Sequence, residues 1–340
     1  MNVFPISARR PITGVAGIAA AALSVLSLVL TSALSPALAD AGRGYASGLP
    51  WSSGAFTSFS AEQAEGFAEW RGRPLDNITI FPDQRSWESL NDPWFLSDAV
   101  IPRGFTGDVV AAVPLWPRNS DIGTNANAQW RTFAGQLAAH DPQAYVRLGW
   151  EMNIGQYWRV TRANRDAWVA AFHRAAVAMH SVAPHLRIVW NPNWGPDQVD
   201  IDTRDVFQAV KDDVSVYGID MYDAWPATSN DLNSALRIYG DRAMTDSLTY
   251  AMENGKRFAL PEWGVACGGA GCQWAGDAGG DNPRYIRETL LFLKSHAAEV
   301  AFDSYFNDPQ PYIRSALYPG QGNPQAGQAY RSVLAEYASG

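Results

Sequence analysis

Tyr145-Val146-Arg147-Leu148-Gly149-Trp150-Glu151 is a short apolar run that ends in a carboxylate. Ala163 to Val182 follows, with apolar side chains recurring three and four apart. Leu186-Arg187-Ile188-Val189-Trp190 then returns to a β-branched run that ends in Asn191-Pro192-Asn193. An apolar strand, an amphipathic helix and a second apolar strand make a βαβ unit, whose parallel strands are covered on both faces.

The same alternation runs through the chain. Strands are predicted at Gly54–Thr57, Asn77–Phe81, Val109–Leu115, Tyr145–Trp150, Leu186–Trp190, Val214–Tyr222, Arg257–Leu260 and Val300–Phe306. Helices are predicted at Ser60–Arg71, where Ser60 and Gln63 form a capping signature, and at Asn127–His140 and Ala163–Val182. Others are predicted at Asp231–Asn254, ending before Gly255, at Asn282–Ala298, with Pro283 near its start, and at Ala326–Tyr337. Eight strand–helix units in one uninterrupted stretch predict an α/β fold, a single-domain (β/α)8 TIM barrel over residues 40–340. An open doubly wound sheet would need a glycine-rich phosphate loop after its first strand, and Phe81-Pro82-Asp83-Gln84-Arg85 offers none.

The 340 residues carry 26 Lys and Arg against 34 Asp and Glu, a net charge of −8. A net-acidic chain without a basic run is a poor nucleic-acid binder. The one long apolar stretch is N-terminal. Arg9-Arg10 precedes an apolar run from Ile12 to Leu34, and Ala37-Leu38-Ala39 follows. A basic head, an apolar middle and a small-x-small end read as a secretory signal over residues 1–39, cut after Ala39. Residues 14–34 are also long enough to span a membrane if uncut. Cleavage removes two arginines and no acid, leaving 24 basic and 34 acidic side chains and a net charge of −10. The expected product is secreted, monomeric and off the membrane. In that oxidising compartment Cys267 and Cys272, separated by Gly268-Gly269-Ala270-Gly271, are expected to form a disulfide. A metal-binding thiol pair would lack the further ligands a closed zinc site needs.

Function in such a barrel sits where the strands end. The polar strand ends are Asp83, Glu151, Asn191 with Asn193, Tyr222 with Asp223, Glu262, and Asn307 with Asp308. Glu151 and Glu262 come from nonadjacent strands, and each follows apolar residues directly. Partial desolvation there raises the pKa of one carboxyl group, as a proton-donating acid requires. Two opposed carboxylates are the minimum for glycoside cleavage, one protonating the leaving oxygen and the other attacking the anomeric carbon. A structural pairing with arginine is the other reading, and Arg147 lies deeper on the same strand face as Glu151. Trp116, Trp158, Trp194, Trp225, Trp263 and Trp274 follow predicted strands and are expected to offer sugar-stacking faces. Trp150, Asn153, Gln156, Asn191, Asn193 and Asp220 are candidate neighbours of the sugar hydroxyls.

Other chemistries fit poorly. His140, His173, His180, His185 and His296 fall in or beside predicted helices, so a Ser-His-Asp triad or a histidine metal site lacks its parts. Gly276-Asp277-Ala278-Gly279-Gly280-Asp281-Asn282 reads as a solvated turn in preference to a Ca²⁺ loop. No cofactor or metal is expected.

Arg147-Leu148-Gly149-Trp150-Glu151-Met152-Asn153 with Gly155-Gln156-Tyr157-Trp158 resembles the fourth-strand motif of glycoside hydrolase family 26, mostly secreted endo-β-1,4-mannanases of the retaining (β/α)8 clan. Trp190-Asn191-Pro192-Asn193, Tyr217-Gly218-Ile219-Asp220-Met221-Tyr222 and Pro261-Glu262-Trp263-Gly264 resemble its fifth, sixth and seventh strand ends. The resemblance implies Glu151 as acid/base, Glu262 as nucleophile, Tyr222 as a hydrogen-bond donor to that nucleophile and Trp158 lining a sugar subsite. The family has His before the acid/base, whereas this chain has Trp150, which cannot accept a hydrogen bond. The expected function is a secreted retaining glycanase, β-mannanase-like, acting on a poly- or oligosaccharide. A β-1,3-xylan, mixed-linkage glucan or cell-envelope glycan is an alternative substrate, and a non-catalytic sugar-binding barrel an alternative function.

Overall fold

The computed structural model describes residues 44–194, 198–224, 244–268, 272, 279–320 and 322–337. Its elements, in chain order, are β1 (Ser52–Phe56), α1 (Ala61–Arg71), β2 (Asn77–Ile80), α2 (Trp87–Leu90), β3 (Asp108–Val113), α3 (Asn127–His140), β4 (Tyr145–Leu148), α4 (Arg165–His180), β5 (Arg187–Trp190), α5 (Thr203–Val210), β6 (Val216–Asp223), α6 (Met244–Glu253), β7 (Arg257–Val265), α7 (Pro283–Ser295), β8 (Val300–Phe306) and α8 (Pro324–Glu336). A 3₁₀ turn, Pro93–Leu96, lies between α2 and β3. The strands pair in sequence order, all in parallel, and β1 closes on β8. The expected (β/α)8 barrel is therefore present, as one domain.

Local chemistry sets the helix ends. The Ser60 Oγ accepts from the Gln63 N–H, and Gly72 closes α1 at φ 74° in the left-handed region. Asn282 caps α7 by accepting from the N–H groups of Arg284 and Tyr285, with Pro283 in the first turn. The predicted Asn127–His140 helix is α3 residue for residue. The first part of the helix predicted at Asp231–Asn254, residues 231–243, lies outside the described residues, as do residues 1–43. No helix among the described residues is long and apolar enough to cross a membrane.

Two short helices, α2 and α5, arise where the sequence predicts loops. α2 spans too few residues for a 3.6-residue period to show, whereas α5 carries one, burying Thr203, Val206, Phe207 and Val210 on one side; each is started by its cap, Ser86 or Asp202. β7 is the other departure. It runs on through Pro261, Glu262 and Trp263 to Val265, so Glu262 lies within the strand and not at its end. Proline lacks the N–H that a ladder needs and is tolerated in a sheet at a bulge. The register shows one: Gly218 pairs with Ala259, but Asp220, two residues on, pairs with Glu262, three residues on.

Gly218 makes room for this bulge, since a Cβ there would lie 2.6 Å from Cγ of Pro261. The proline ring cannot swing aside, so Gly218→Ala is expected to destabilise the fold by about 1–3 kcal/mol, the usual cost of overpacking a core. Urea unfolding measures this, and Gly135→Ala, whose Cβ would enter open space on α3, is the control expected to lose no stability.

Candidate active site

Arg147 is fully buried inside the barrel, two residues up β4 from Tyr145. A guanidinium without water needs anions and acceptors around it. Asn191 Oδ1 on the turn after β5 accepts from its Nε at 2.5 Å. Its Nη2 donates to Asp220 Oδ2 on β6 at 2.5 Å and to Glu262 Oε2 on β7 at 2.9 Å. Asn191 Nδ2 also donates to Asp220 Oδ1 at 2.9 Å. The other oxygen of Glu262 accepts from the Tyr222 hydroxyl at 2.6 Å. Both oxygens of Glu262 are thus held, and the residue is only 8% exposed.

Glu151 reaches the same point from a turn beyond β4. Gly149 is at φ 63° and Glu151 itself at φ 51°, in the left-handed region that non-glycine residues rarely adopt. The Glu151 N–H donates to the Asn191 carbonyl at 2.6 Å, which holds the turn against β5. Asn193 Nδ2 donates to Glu151 Oε1 at 2.7 Å, and Gln156 Nε2 to Oε2 at 3.3 Å. Backbone strain of this kind costs about 1–3 kcal/mol and persists where surrounding contacts over-determine it.

Glu151, Asp220 and Glu262 each bring one carboxylate oxygen within 4.8 Å of the others. Burial, and then the nearby charge of Glu262, push the Glu151 carboxyl up to about 7. Burial raises Asp220 well above the ordinary carboxylate range, with Arg147 acting against it. The three acids are close enough to share a cation, but Arg147 already bonds two of them and supplies the compensating charge.

The other sequence candidates divide. Arg147, Asn191, Asn193, Asp220 and Tyr222 converge on the two glutamates. Trp150 is buried with its ring 5.6 Å from Phe81 and 4.4 Å from Trp158. Asn153 is buried and ties the loops after β4 and β5 together, donating to the Asn193 carbonyl and accepting from the Asn193 N–H. The expectation that the loop tryptophans present stacking faces needs correction. Trp158 is fully buried, its indole N–H on the Trp150 carbonyl at 2.8 Å. Trp263 is equally buried, because neighbours on a strand face opposite ways and Glu262 takes the inward side. Its ring lies against Tyr305 on β8, Tyr285 on α7 and Tyr330 on α8, and its N–H donates to Asp303. Trp194 is buried, and Trp116, also buried, lines a recess with Trp87 and Trp130. Trp225 and Trp274 lie outside the described residues. Cys267 and Cys272 form the expected disulfide.

No protein-family profile and no curated protein matches the sequence. Solved structures match in shape. The GH26C protein of Muricauda sp. superposes with a TM-score of 0.56 at 10% identity, over 84% of this chain and 85% of that one. An endo-β-1,4-mannanase of Cellulomonas fimi gives 0.55 at 15% identity, over 82% and 70%. A GH128 endo-β-1,3-glucanase of Sorangium cellulosum gives 0.50 at 16% identity, over 83% and 98%. At these identities the likeness is one of fold.

Removing Arg147 leaves buried carboxylates unpaired. Arg147→Met is expected to cost about 3–5 kcal/mol in urea unfolding at neutral pH. Glu151 should act in the opposite sense. Its pKa rises on folding from an ordinary 4.5 to about 7, so between those values the folded chain keeps a proton that the unfolded chain releases, and stability falls as pH rises. Glu151→Gln is therefore expected to raise the melting temperature at pH 8 and to leave it nearly unchanged at pH 4.

Proposed function

We propose that the chain is a retaining glycoside hydrolase that cleaves a β-linked polysaccharide, with Glu262 as nucleophile and Glu151 as acid/base. One observation carries this reading. Glu262 on β7 and Glu151 on the turn after β4 bring one carboxylate oxygen each within 4.8 Å of the other at the C-terminal mouth of the barrel, in unlike surroundings. That spacing suits double displacement, for which about 5 Å is typical, and is short for an inverting pair, which must leave room for a water between them.

In the first step a Glu262 oxygen bonds to the anomeric carbon, the bond to the leaving oxygen breaks, and the Glu151 proton passes to that oxygen. In the second, Glu151 takes a proton from water, the water oxygen bonds to the anomeric carbon, and the Glu262 ester breaks. Arg147 and Tyr222 hold the nucleophile's two oxygens, while burial keeps a proton on Glu151 up to about pH 7. The fold shared with a mannanase and the sequence resemblance favour a β-1,4-mannan. Trp150, in place of a hydrogen-bond-accepting side chain beside the acid, favours a different reading of the adjacent sugar hydroxyl, so β-1,3-xylan and mixed-linkage glucan belong in the same panel. The basic head, apolar run and Ala37-Leu38-Ala39 of the N-terminus support release after Ala39 and action outside the cell.

Digestion of mannan, xylan and β-glucan panels, with NMR of the first product, should show net retention at the anomeric carbon; an inverted first product excludes this mechanism. Glu262→Ala and Glu151→Ala should each lower turnover on a natural glycan by at least about a thousandfold. The alkaline limb near pH 7 should vanish in Glu151→Ala on an aryl glycoside whose leaving group departs without protonation.

A further inference from the structure

Among the described residues, seven large hydrophobic side chains are more than about a third exposed, and only three of these are aromatic: Phe59 at 39%, Trp94 at 37% and Tyr312 at 44%. The aliphatic four, Val177, Val182, Met252 and Leu291, lie on α4, α6 and α7 or just beyond α4. The aromatic three lie in the segments that follow β1, β2 and β8, which are neighbours in the closed barrel. They occupy one arc of the catalytic rim.

Phe59 is held there at a cost. Ser58 and Phe59 stand at φ 51° and 58°, two successive non-glycine residues in the left-handed region, each worth about 1–3 kcal/mol of strain. A plain connection would put glycine at one of them and bury no ring. From Phe59 an aromatic series leads both ways. Trp94 lies 5.7 Å outward, and Phe81, half-buried, lies 6.3 Å inward. Phe81 is 5.6 Å from Trp150, the residue before Glu151, and 5.6 Å from the Arg147 guanidinium that bonds Glu262. Phe56 and Phe306 stack at 4.6 Å and join this series to the Tyr222 ring. Tyr312, on the segment after β8 and so on the other side of β1, donates its hydroxyl to Asp308 Oδ2 at 2.9 Å.

On the reading of the site given above, we infer that the Phe59–Trp94 pair is a stacking surface for sugar units away from the cleaved bond, with Tyr312 bounding the same arm of the cleft. Flat exposed rings pack against the C–H faces of pyranoses, and an acidic protein with a net charge of −8 suits a neutral glycan over a polyanionic one. The inner rings of the series, Phe56, Phe306 and Tyr222, are buried, and their packing fixes the exposed Phe59–Trp94 pair relative to the nucleophile that Tyr222 bonds.

The test is chain-length dependence. For wild type, kcat/KM on β-1,4-manno-oligosaccharides, or on the oligosaccharide series the enzyme prefers, should climb from trisaccharide to hexasaccharide. In Phe59→Ala/Trp94→Ala the climb should flatten, with about a tenfold loss on the hexasaccharide carried by KM. Phe59→Gly/Trp94→Ala removes the same rings while relieving the left-handed strain, so it should fold at least as well and show the same flattening. Equal loss at every length, or no loss, overturns the inference. If wild type cleaves no oligosaccharide, the hydrolase reading fails on its own. Affinity electrophoresis through galactomannan, xylan and β-glucan gels then decides the surface: retardation that the double variants lose supports it, and none in wild type overturns it.

Discussion

A guanidinium sealed inside a barrel must be matched by charge and by acceptors, and that requirement organises the site. Arg147 bonds Asn191, Asp220 and Glu262, from three successive strands or strand ends, through Nε and Nη2, while its buried Nη1 has no hydrogen-bond partner among the described residues. The orientation of the proposed nucleophile is therefore inseparable from keeping a buried cation paired. One cation faces three acids, so burial drives protons onto Glu151 and Asp220. Glu151, the proposed acid, thus owes its protonation first to burial and then to the charge of Glu262, which Arg147 only partly offsets.

The remaining parts hold that cluster in place from outside. The strained turn at Glu151 is tied down by the Asn191 carbonyl, and Trp158 grips the Trp150 carbonyl just ahead of it. Trp168 on α4 in turn donates to the Trp158 carbonyl at 2.8 Å, so the turn is anchored through two indoles to the helix layer. Behind β7, Asp303 accepts from the indoles of Trp51 and Trp263. Trp158 and Trp263, which look like sugar platforms in the sequence, are braces.

The barrel and both glutamates were legible because they depend on short-range signals: apolar runs, caps such as Ser60 and Asn282, and polar residues at strand ends. Tryptophan roles were not, although half of the answer was present. Glu262 and Trp263 are adjacent on a strand and must face opposite sides, so an inward carboxylate sends the indole outward. Pro261 misled in another way, reading as a strand end when it marks an irregularity within one. Phe59 and Trp94 carried no signal, because exposure of a single aromatic depends on how distant loops leave it. The four-residue α2 was hidden by its length, whereas α5 carried a readable signal in the cap Asp202 and the apolar face of Val206, Phe207 and Val210.

The extra residue in β7 has a reach beyond local geometry. Ala259 belongs to the cluster that fills the barrel interior, so strict alternation would turn Pro261 inward and Glu262 toward the helices. The inserted step reverses that parity, bringing the carboxylate in and sending the indole out. Straightening the bulge with Pro261 retained would exchange the two, placing a bulky ring against Arg147 and an acid among Tyr285, Tyr305 and Tyr330, whereas loss of Pro261 together with the bulge would leave Glu262 facing inward. Bulge and extra residue must therefore be gained or lost together along this strand for the carboxylate to stay inside the barrel.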